Sequence, residues 1–330
     1  METPVRPRIN IDTMKTPAKP TFSHRRLEFV KIDRPMTINP ITPLLSNMGD
    51  TDDQPQALIA QVATNVPSSF EEATTSSCWS EAVATELNAH KTNHTWTVVE
   101  KPNDCKLITT IWVFSVKKNE NGEIVRHKAR LVARGFDQRP GLDFLETYAP
   151  VASIKTLRTL LALCISQDMK LNMFDVTTAF LHGTINETIY IDTPSGVEAN
   201  KNQCLKLNKA LYGLKQAPRA WFMRFSKIME EIGFEQTHTE PCVFKNNNCS
   251  MIVMIYVDDG IILSRDKTES SKLLDKLAQR IPIKETRGRF LGLNIECENN
   301  QITVNKTDYC LEIANSRFYG IKNYKSPATQ

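Results

Sequence analysis

The sequence lacks any long hydrophobic run. Its longest apolar stretches are about the length of a β-strand, whereas a helix that crosses a bilayer needs roughly 20 consecutive apolar residues. The N-terminal arginines are also not followed by the apolar segment of a secretion signal. We therefore expect a chain that neither spans a membrane nor is exported.

Cysteine pairs at metal-binding or redox spacing are missing as well, because none of the eight cysteines forms a Cys-x-x-Cys motif. Most lie in apolar segments, and we expect reduced core residues in an intracellular protein of the cytoplasm, the nucleus or both. A zinc site made by His238, Cys242 and Cys249 is the alternative, but its spacing fits no common ligand pattern.

A strong net charge is absent too, since 41 basic residues against 37 acidic residues leave a formal charge of +4. This balance says little about nucleic acid, but the charge is unevenly distributed. Segment 115–139 contains three acidic residues and the following seven basic residues: Lys117, Lys118, Arg126, Lys128, Arg130, Arg134 and Arg139. Such a cluster indicates either a solvated hairpin or a surface that binds phosphates.

Size and composition indicate a globular chain of one or two domains, because 41% of its 330 residues are hydrophobic and 24% are charged. Eight of the seventeen prolines lie within the first 65 residues, where no apolar periodicity is sustained. We predict a disordered leader or linker over residues 1–68 and a folded domain over residues 69–330.

Apolar periodicity and turn residues predict an alternation of strands and helices. Strands are expected at 94–116 and 124–135, joined by an Asn-Gly turn at 119–122, and helices are expected from Ser77, after the cap residue Ser153, over 219–232 before Gly233, and after the cap-like pair Asp266 and Glu269. Together with the apolar segments around 175 and 258, the order becomes strand, helix, hairpin, helix, strand. This order fits an α+β fold with a ferredoxin-like split βαβ core.

Segment Met251–Leu263 contains two apolar, strand-like runs on either side of the adjacent acids Asp258 and Asp259. These acids are either turn residues together with Gly260, because Asp-Gly is a strong hairpin signal, or ligands of a divalent metal that offsets their repulsion. Asp175 also follows an apolar stretch, and the predicted order brings it to the same place. An all-oxygen set suits two Mg²⁺ or Mn²⁺ ions, which hold the attacking and leaving oxygens in phosphoryl transfer.

Six segments occur in order along the chain and carry a family resemblance. They are CWSEAVATELNAH at 78–90, HKARLVARGF at 127–136, FDVTTAFLHG at 174–183, LYGLKQAPRAW at 211–221, YVDD at 256–259 and FLGLNI at 290–295. Together they resemble the reverse transcriptase of Ty1/copia-type retrotransposons, between Phe70 and Lys325.

The resemblance implies a right-hand polymerase with a palm built on the split βαβ core, a fingers subdomain and, because the chain ends at Gln330, a thumb that is largely absent. The implied activity is RNA-directed DNA polymerisation, in which deoxynucleoside triphosphates are added to a primer on an RNA or DNA template. Asp175, Asp258 and Asp259 are the implied catalytic residues and the ligands of two Mg²⁺ or Mn²⁺ ions. Other segments of a retroelement polyprotein are candidate partners.

The resemblance also implies roles for side chains around these acids. Nucleotide binding is expected of Lys128, Arg130, Phe180, Gly213 and Gln216, and contact with primer or template is expected of Tyr256, Leu291 and Gly292. Phe180 would exclude a 2′-hydroxyl from the sugar site, with simple burial in the core as the alternative. Lys284 would protonate pyrophosphate or be merely exposed, and Lys215 and Arg219 would contact template phosphates or be merely solvated.

Two positions depart from the family pattern. Gly260 stands where a bulky aliphatic residue is common, which predicts a looser catalytic hairpin, and segment 281–288 around Lys284 differs from the usual Met-Lys-Asp-Leu-Gly.

Two other functions fit part of the sequence. A noncatalytic remnant of a retroelement would at most bind nucleic acid, and a metal-dependent nuclease would use the same acids but would not explain Phe180 or segment 211–221.

Overall fold

The computed structural model describes residues 28–29, 66–103, 105–118, 123–298, 301–307, 309–310 and 313. Most of the predicted leader at 1–68 and the whole predicted turn at 119–122 lie outside these residues, so both stay predictions.

Helices flank the sheets of the described chain. They are α1 Phe70–Thr74, α2 Ser77–Thr92, α3 Ile154–Ser166, α4 Ala217–Glu231 and α5 Lys267–Ala278, and short 3₁₀ segments at Gly135–Asp137 and Ala179–His182 precede α3 and α4. None of the helices within the described ranges is long and apolar enough to cross a bilayer.

The strands form several sheets. They are β1 Glu28–Phe29, β2 Trp96–Glu100, β3 Leu107–Ile108, β4 Thr110–Lys118, β5 Ile124–Ala133, β6 Lys170–Val176, β7 Tyr190–Ile191, β8 Gln203–Leu207, β9 Phe234–Gln236, β10 Val243–Asn246, β11 Met251–Tyr256, β12 Asp259–Ser264, β13 Ile283–Thr286, β14 Gly288–Phe290, β15 Leu293–Glu298 and β16 Gln301–Asn305.

The central sheet has the strand order β13-β6-β12-β11-β10-β9, and every neighbouring pair is antiparallel. β12 therefore lies between β6 and β11, which run parallel to each other and are connected through α4. α5 then leads from β12 to β13 on the other side of β6. With β7 to β10 as additions, this is the arrangement of a split βαβ unit within a mixed α/β protein.

α3, α4 and α5 bury their apolar sides against the central sheet. As predicted, Ser153 caps α3 by accepting a hydrogen bond from the backbone N–H of Thr156 at 3.0 Å. The helical period then places Leu157 and Leu161 in a core that also contains the fully buried Phe174 of β6. Each such side chain contributes roughly 1.5–3 kcal/mol to folding when it is removed from water. The central sheet is therefore well stabilised, and so are the positions of the residues at the ends of its strands.

A second part of the molecule contains the sheet β2-β8-β7-β3 and the β4–β5 ribbon. α2 packs against this ribbon, where Glu86 accepts a hydrogen bond from the backbone N–H of Leu131 at 3.2 Å and Trp79 lies edge-on to Phe114. This part has its own apolar core, and Phe180 packs against both cores. The two parts therefore meet just beyond the end of β6.

Two predictions about elements are corrected. The strand predicted at 94–116 is instead divided into β2, β3 and β4, and β2 ends before Pro102, which has no N–H for a strand ladder. The cap at Asp266 is confirmed, because its carboxylate accepts the backbone N–H of Thr268 at 2.8 Å. Glu269, however, accepts the hydroxyl of Ser250 at 3.2 Å instead of completing the cap.

The cysteines are free, but the prediction that they are core residues is only partly right. Cys164, Cys204 and Cys242 are buried, whereas Cys78, Cys249, Cys297 and Cys310 are exposed. In the part of the chain that the structure describes, no three His, Cys, Asp or Glu side chains are grouped closely enough to hold a metal, and His238, Cys242 and Cys249 therefore form no such group.

Candidate active site

Three acids come together at one end of two adjacent strands. Asp175 near the end of β6 is directly opposed to Asp259, the first residue of β12. Directly opposed residues of an antiparallel pair point to the same face, with Cβ atoms about 5 Å apart. Asp258 precedes β12 in the two-residue loop of the β11–β12 hairpin, and its carbonyl accepts the backbone N–H of Val176 at 2.7 Å.

The hairpin turn differs from the Asp-Gly turn that the sequence offered as an alternative. Val257 and Asp258 form the loop, since Tyr256 pairs with Asp259 across it. Gly260 lies inside β12 opposite Phe174, where an added Cβ would come within 2.1 Å of the phenylalanine ring. The ring of Phe174 therefore fills the space that an aliphatic side chain at 260 would take.

Burial and mutual repulsion shape the electrostatics of the acids. Burial raises the pKa of Asp258, the carboxylate of Asp175 raises it further, and Arg130 and Lys128 oppose this effect. Burial, Asp258 and Asp175 together raise the pKa of Asp259 to about 6. The negative charges are thus unfavourable by themselves, and a cation beside them would be stabilising.

Two of the acids open onto a cleft of about 660 Å³. Asp175 and Asp258 line it together with Lys128 and Arg130 of β5, whereas Asp259 is not among the described residues of its wall. No closed group of three ligands exists among the residues that the structure describes, so the donor set facing the cleft is a carboxylate pair. Such a pair fits Mg²⁺ or Mn²⁺, because Mg²⁺ keeps several waters and is usually held by one or two carboxylates plus substrate phosphates.

The basic wall of the cleft comes from the predicted charge cluster. Lys128 and Arg130 alternate along β5 with the buried residues Ala129 and Leu131, so they share a face. Burial lowers the pKa of Lys128, as do Arg130 and Arg126, while Asp175 and Asp258 raise it. The surface that could have been a solvated hairpin therefore faces the acids at these two positions.

An aromatic side chain that the sequence analysis did not single out connects this wall to Phe180. Tyr212 lines the cleft, the guanidinium of Arg130 lies 5.3 Å from its ring centre, and Phe180 packs 4.7 Å from the same ring. Burial raises the pKa of Tyr212 to about 12, so its phenol stays neutral. The available signal was its place in segment 211–221, in which roles were predicted for Gly213, Lys215, Gln216 and Arg219.

The loop before α4 is held by close backbone approach and by buried amides. Gly213 has a φ of +89°, and an added Cβ would come within 2.0 Å of the carbonyl oxygen of Ala133, so its close approach is to the end of β5. Gln216 is buried, accepts from the amide of Gln138 at 2.9 Å and donates to the carbonyl of Asp143 at 2.9 Å. These contacts hold the loop, and a nucleotide contact for either residue stays a prediction.

Other predicted residues lie at the margins of the site. Lys284 on β13 is directly opposed to Asp175 and lines the same cleft. Leu291 and Gly292 form the loop of the β14–β15 hairpin, both with positive φ. Arg219 forms an ion pair with Glu146 at the surface, and its contact with template phosphates stays a prediction.

Lys215 and Tyr256 also have contacts within the protein. The ammonium of Lys215 lies 4.7 Å from the ring centre of Phe144. Tyr256 is partly buried against the core at the end of β11. Contact of either side chain with primer or template stays a prediction.

Comparison with known proteins agrees with this arrangement. The family described as reverse transcriptase (RNA-dependent DNA polymerase) matches residues 93–325. The chain belongs to this family. Over 259 residues it is 38% identical to the "Retrovirus-related Pol polyprotein from transposon TNT 1-94" of Nicotiana tabacum, and this match covers 76% of the chain and 19% of that relative.

Two further relatives define its type. The "Retrovirus-related Pol polyprotein from transposon RE1" of Arabidopsis thaliana is 36% identical over 242 residues, covering 71% of this chain and 16% of the relative. The "Transposon Ty1-GR1 Gag-Pol polyprotein" of Saccharomyces cerevisiae is 29% identical over 236 residues, covering 67% and 13%. The predicted resemblance to Ty1/copia-type reverse transcriptases is confirmed. The chain spans less than a fifth of the length of these relatives.

Proposed function

We propose that this chain is an RNA-directed DNA polymerase that adds deoxynucleotides to a primer on an RNA or DNA template. The observation that carries the proposal is the cleft in which Asp175 and Asp258 face Lys128 and Arg130. Carboxylates on one wall suit a divalent metal, and basic side chains on the other wall suit a triphosphate. Reverse transcriptases generally use divalent metal ions, which agrees with this division.

The fold supports an assignment of subdomains in this proposal. The central sheet with α3, α4 and α5 is the palm, and the part containing α2 and the β4–β5 ribbon is the fingers. The β14–β15 hairpin, with Leu291 and Gly292 at its tip, is the primer grip at the start of a thumb. Residues 69–330 then form the reverse transcriptase domain.

Each wall of the cleft has its own chemical task. Asp175 and Asp258 would hold the metal, with Asp259 as the third acid of a two-ion site. Bound there, Mg²⁺ or Mn²⁺ would lower the pKa of the primer 3′-hydroxyl and offset charge on the phosphates. Arg130 offers a planar fork to phosphate oxygens and Lys128 a point charge, while Lys284 beside Asp175 supplies a proton donor for pyrophosphate.

Selection against ribonucleotides is assigned to the paired rings of Phe180 and Tyr212. Phe180 is the predicted barrier to a 2′-hydroxyl, but Tyr212 is the ring that lines the cleft. Phe180 therefore excludes the 2′-hydroxyl by packing against Tyr212 and holding its ring in place. A smaller residue at 180 would let this ring move and make room for the hydroxyl.

Primer extension tests the proposal. The purified chain, given Mg²⁺, a primed RNA template and deoxynucleotides, extends the primer, and Asp258→Asn reduces the rate by at least about 100-fold because several kcal/mol of charge stabilisation are lost. Asp275→Asn, on the exposed side of α5, is the matched control. If wild type and Asp258→Asn both bind the primed template and neither extends it, the chain is a noncatalytic remnant. Shortening of the template without extension would indicate a nuclease.

A further inference from the structure

The tip of the β11–β12 hairpin is held in an unfavourable backbone conformation. Val257, the first loop residue, has a φ of +56°. Two-residue hairpin loops favour glycine or asparagine at positions of positive φ, and a β-branched residue is costly there. Such a conformation persists only when the surroundings hold it.

Trp221 of α4 supplies one of the holding contacts. Its indole Nε1–H donates a hydrogen bond to the carbonyl oxygen of Val257 at 2.6 Å. The side chain is only 2% exposed and packs against Phe225, which packs against Phe244 of β10. The donor is therefore fixed by the palm core and cannot follow the loop if the loop moves.

The hydrogen bond of Trp221 acts on the peptide group that leads to Asp258. The carbonyl of Val257 and the N–H of Asp258 belong to one planar unit, so fixing the first also fixes the second. On the far side of the residue, the carbonyl of Asp258 accepts the N–H of Val176, directly after Asp175. Both peptide groups that flank Asp258 are thus anchored.

We propose that Trp221 is a positioning residue, which holds the Val257–Asp258 peptide so that the Asp258 carboxylate faces Asp175 at the metal site. The inference rests on the proposed function, since it assigns the metal to these two acids. Trp221 reaches the site through the backbone of Val257 and is not assigned any contact with the nucleotide. Outer groups that orient a metal ligand typically change metal affinity or activity by about 10–100-fold when they are removed.

The test uses Trp221→Phe, which keeps an aromatic ring and removes the N–H donor. Trp112→Phe is the matched control, because the indole of Trp112 also donates to a backbone carbonyl, that of Ser195 at 3.1 Å, away from the acids. We expect Trp221→Phe to weaken Mn²⁺ binding, measured by calorimetry, about tenfold. In primer extension it should raise the Mg²⁺ requirement and lower kcat with little change in the KM of the deoxynucleotide.

Hydrogen exchange and a double variant separate positioning from simple loss of stability. Amide exchange in residues 251–264 should accelerate in Trp221→Phe and not in Trp112→Phe. Val257→Gly removes the strain that the hydrogen bond opposes, so the loss of Mn²⁺ affinity caused by Trp221→Phe should be smaller in the Val257→Gly background.

The outcomes distinguish this inference from the proposed function. Wild-type protein that binds Mn²⁺ but extends no primer would contradict the proposed function, and the Mn²⁺ affinities of the variants would still decide the role of Trp221. Equal Mn²⁺ affinity and equal hairpin exchange in wild type and Trp221→Phe would overturn the inference. Wild-type protein that binds no Mn²⁺ would overturn both.

Discussion

Gly260 and Phe174 show how single residues set the position of the acids. They are directly opposed on β12 and β6, and each is the neighbour of an acid, Asp259 or Asp175. Phe174 is fully buried in the core of the central sheet, so its ring cannot yield to a larger neighbour without disturbing that core. The register that brings the acids together therefore depends on the absence of a side chain at 260.

A single methyl group at 260 should disturb this register. Gly260→Ala places a Cβ 2.1 Å from the ring of Phe174, and we expect a loss of roughly 1–3 kcal/mol in the free energy of unfolding, measured with urea. Phe174→Leu leaves a cavity by itself, but combined with Gly260→Ala it should cost less than the sum of the two single changes. Additive costs would show that the two residues do not share this space.

The sequence was informative about the acids and less so about their neighbours. An apolar run that ends in charge identified Asp175 and Asp258, because a buried strand seldom carries unpaired carboxylates. Tyr212 was missed, because the residues around it do not indicate whether its side chain lines a cleft or is buried in a core. Its contact with Arg130 exists only once β5 and the 211–217 loop are adjacent.

At the scale of elements, the loop before α4 connects the two parts of the molecule. The backbone N–H of Ala133 at the end of β5 donates to the carbonyl of Tyr212 at 2.7 Å, and Gln138 accepts the backbone N–H of Lys215 at 2.8 Å. The amide of Gln216 is buried between these segments. The loop thus sets the position of the basic wall relative to the central sheet.

Replacement of the buried amide should mainly affect stability. Gln216→Ala leaves the amide of Gln138 with a lost partner, and we expect it to lower the free energy of unfolding by about 1–3 kcal/mol in urea titration. Gln203→Ala, whose side-chain hydrogen bonds lie at the surface, should change it by less than about 0.5 kcal/mol. Unchanged stability together with a raised KM for the deoxynucleotide would instead support the nucleotide contact that the family resemblance implies.

Elements with strong local signals were predicted well. The helix start at Ser77 and the caps at Ser153 and Asp266 each depend on residues close in sequence. The strand predicted at 94–116 failed because β2 and β3 pair with β8 and β7, which are far away in the chain. Pairing of that kind, and not local propensity, decides where such strands end.

The whole molecule brings opposite charges to one cleft from distant parts of the chain. Asp175 and Asp258 belong to the central sheet, whereas Lys128 and Arg130 belong to the β4–β5 ribbon. The sequence predicted the acidic residues and the basic residues separately. It did not predict that they face each other, because the apolar periodicity of a segment does not show how two cores pack together. The basic side chains do not fully offset the negative charges of the acids, since the pKa values of Asp258 and Asp259 remain raised.

This residual repulsion predicts how the stability of the whole protein depends on pH and Mg²⁺. A carboxyl whose folded-state pKa is raised favours the folded state when protonated, so stability should fall as pH rises from about 4, the unfolded value, through about 6, the folded value of Asp259. The loss should be on the order of 1 kcal/mol, because both carboxyl groups are only partly buried.

Thermal unfolding should show a lower Tm at pH 7 than at pH 5 without metal, and saturating Mg²⁺ should raise the Tm at pH 7 because it binds only the folded acids. Asp259→Asn should reduce the pH-dependent loss, whereas the exposed Asp275→Asn should leave it unchanged. A Tm that is insensitive to Mg²⁺ at pH 7 would show that the acids do not bind the ion.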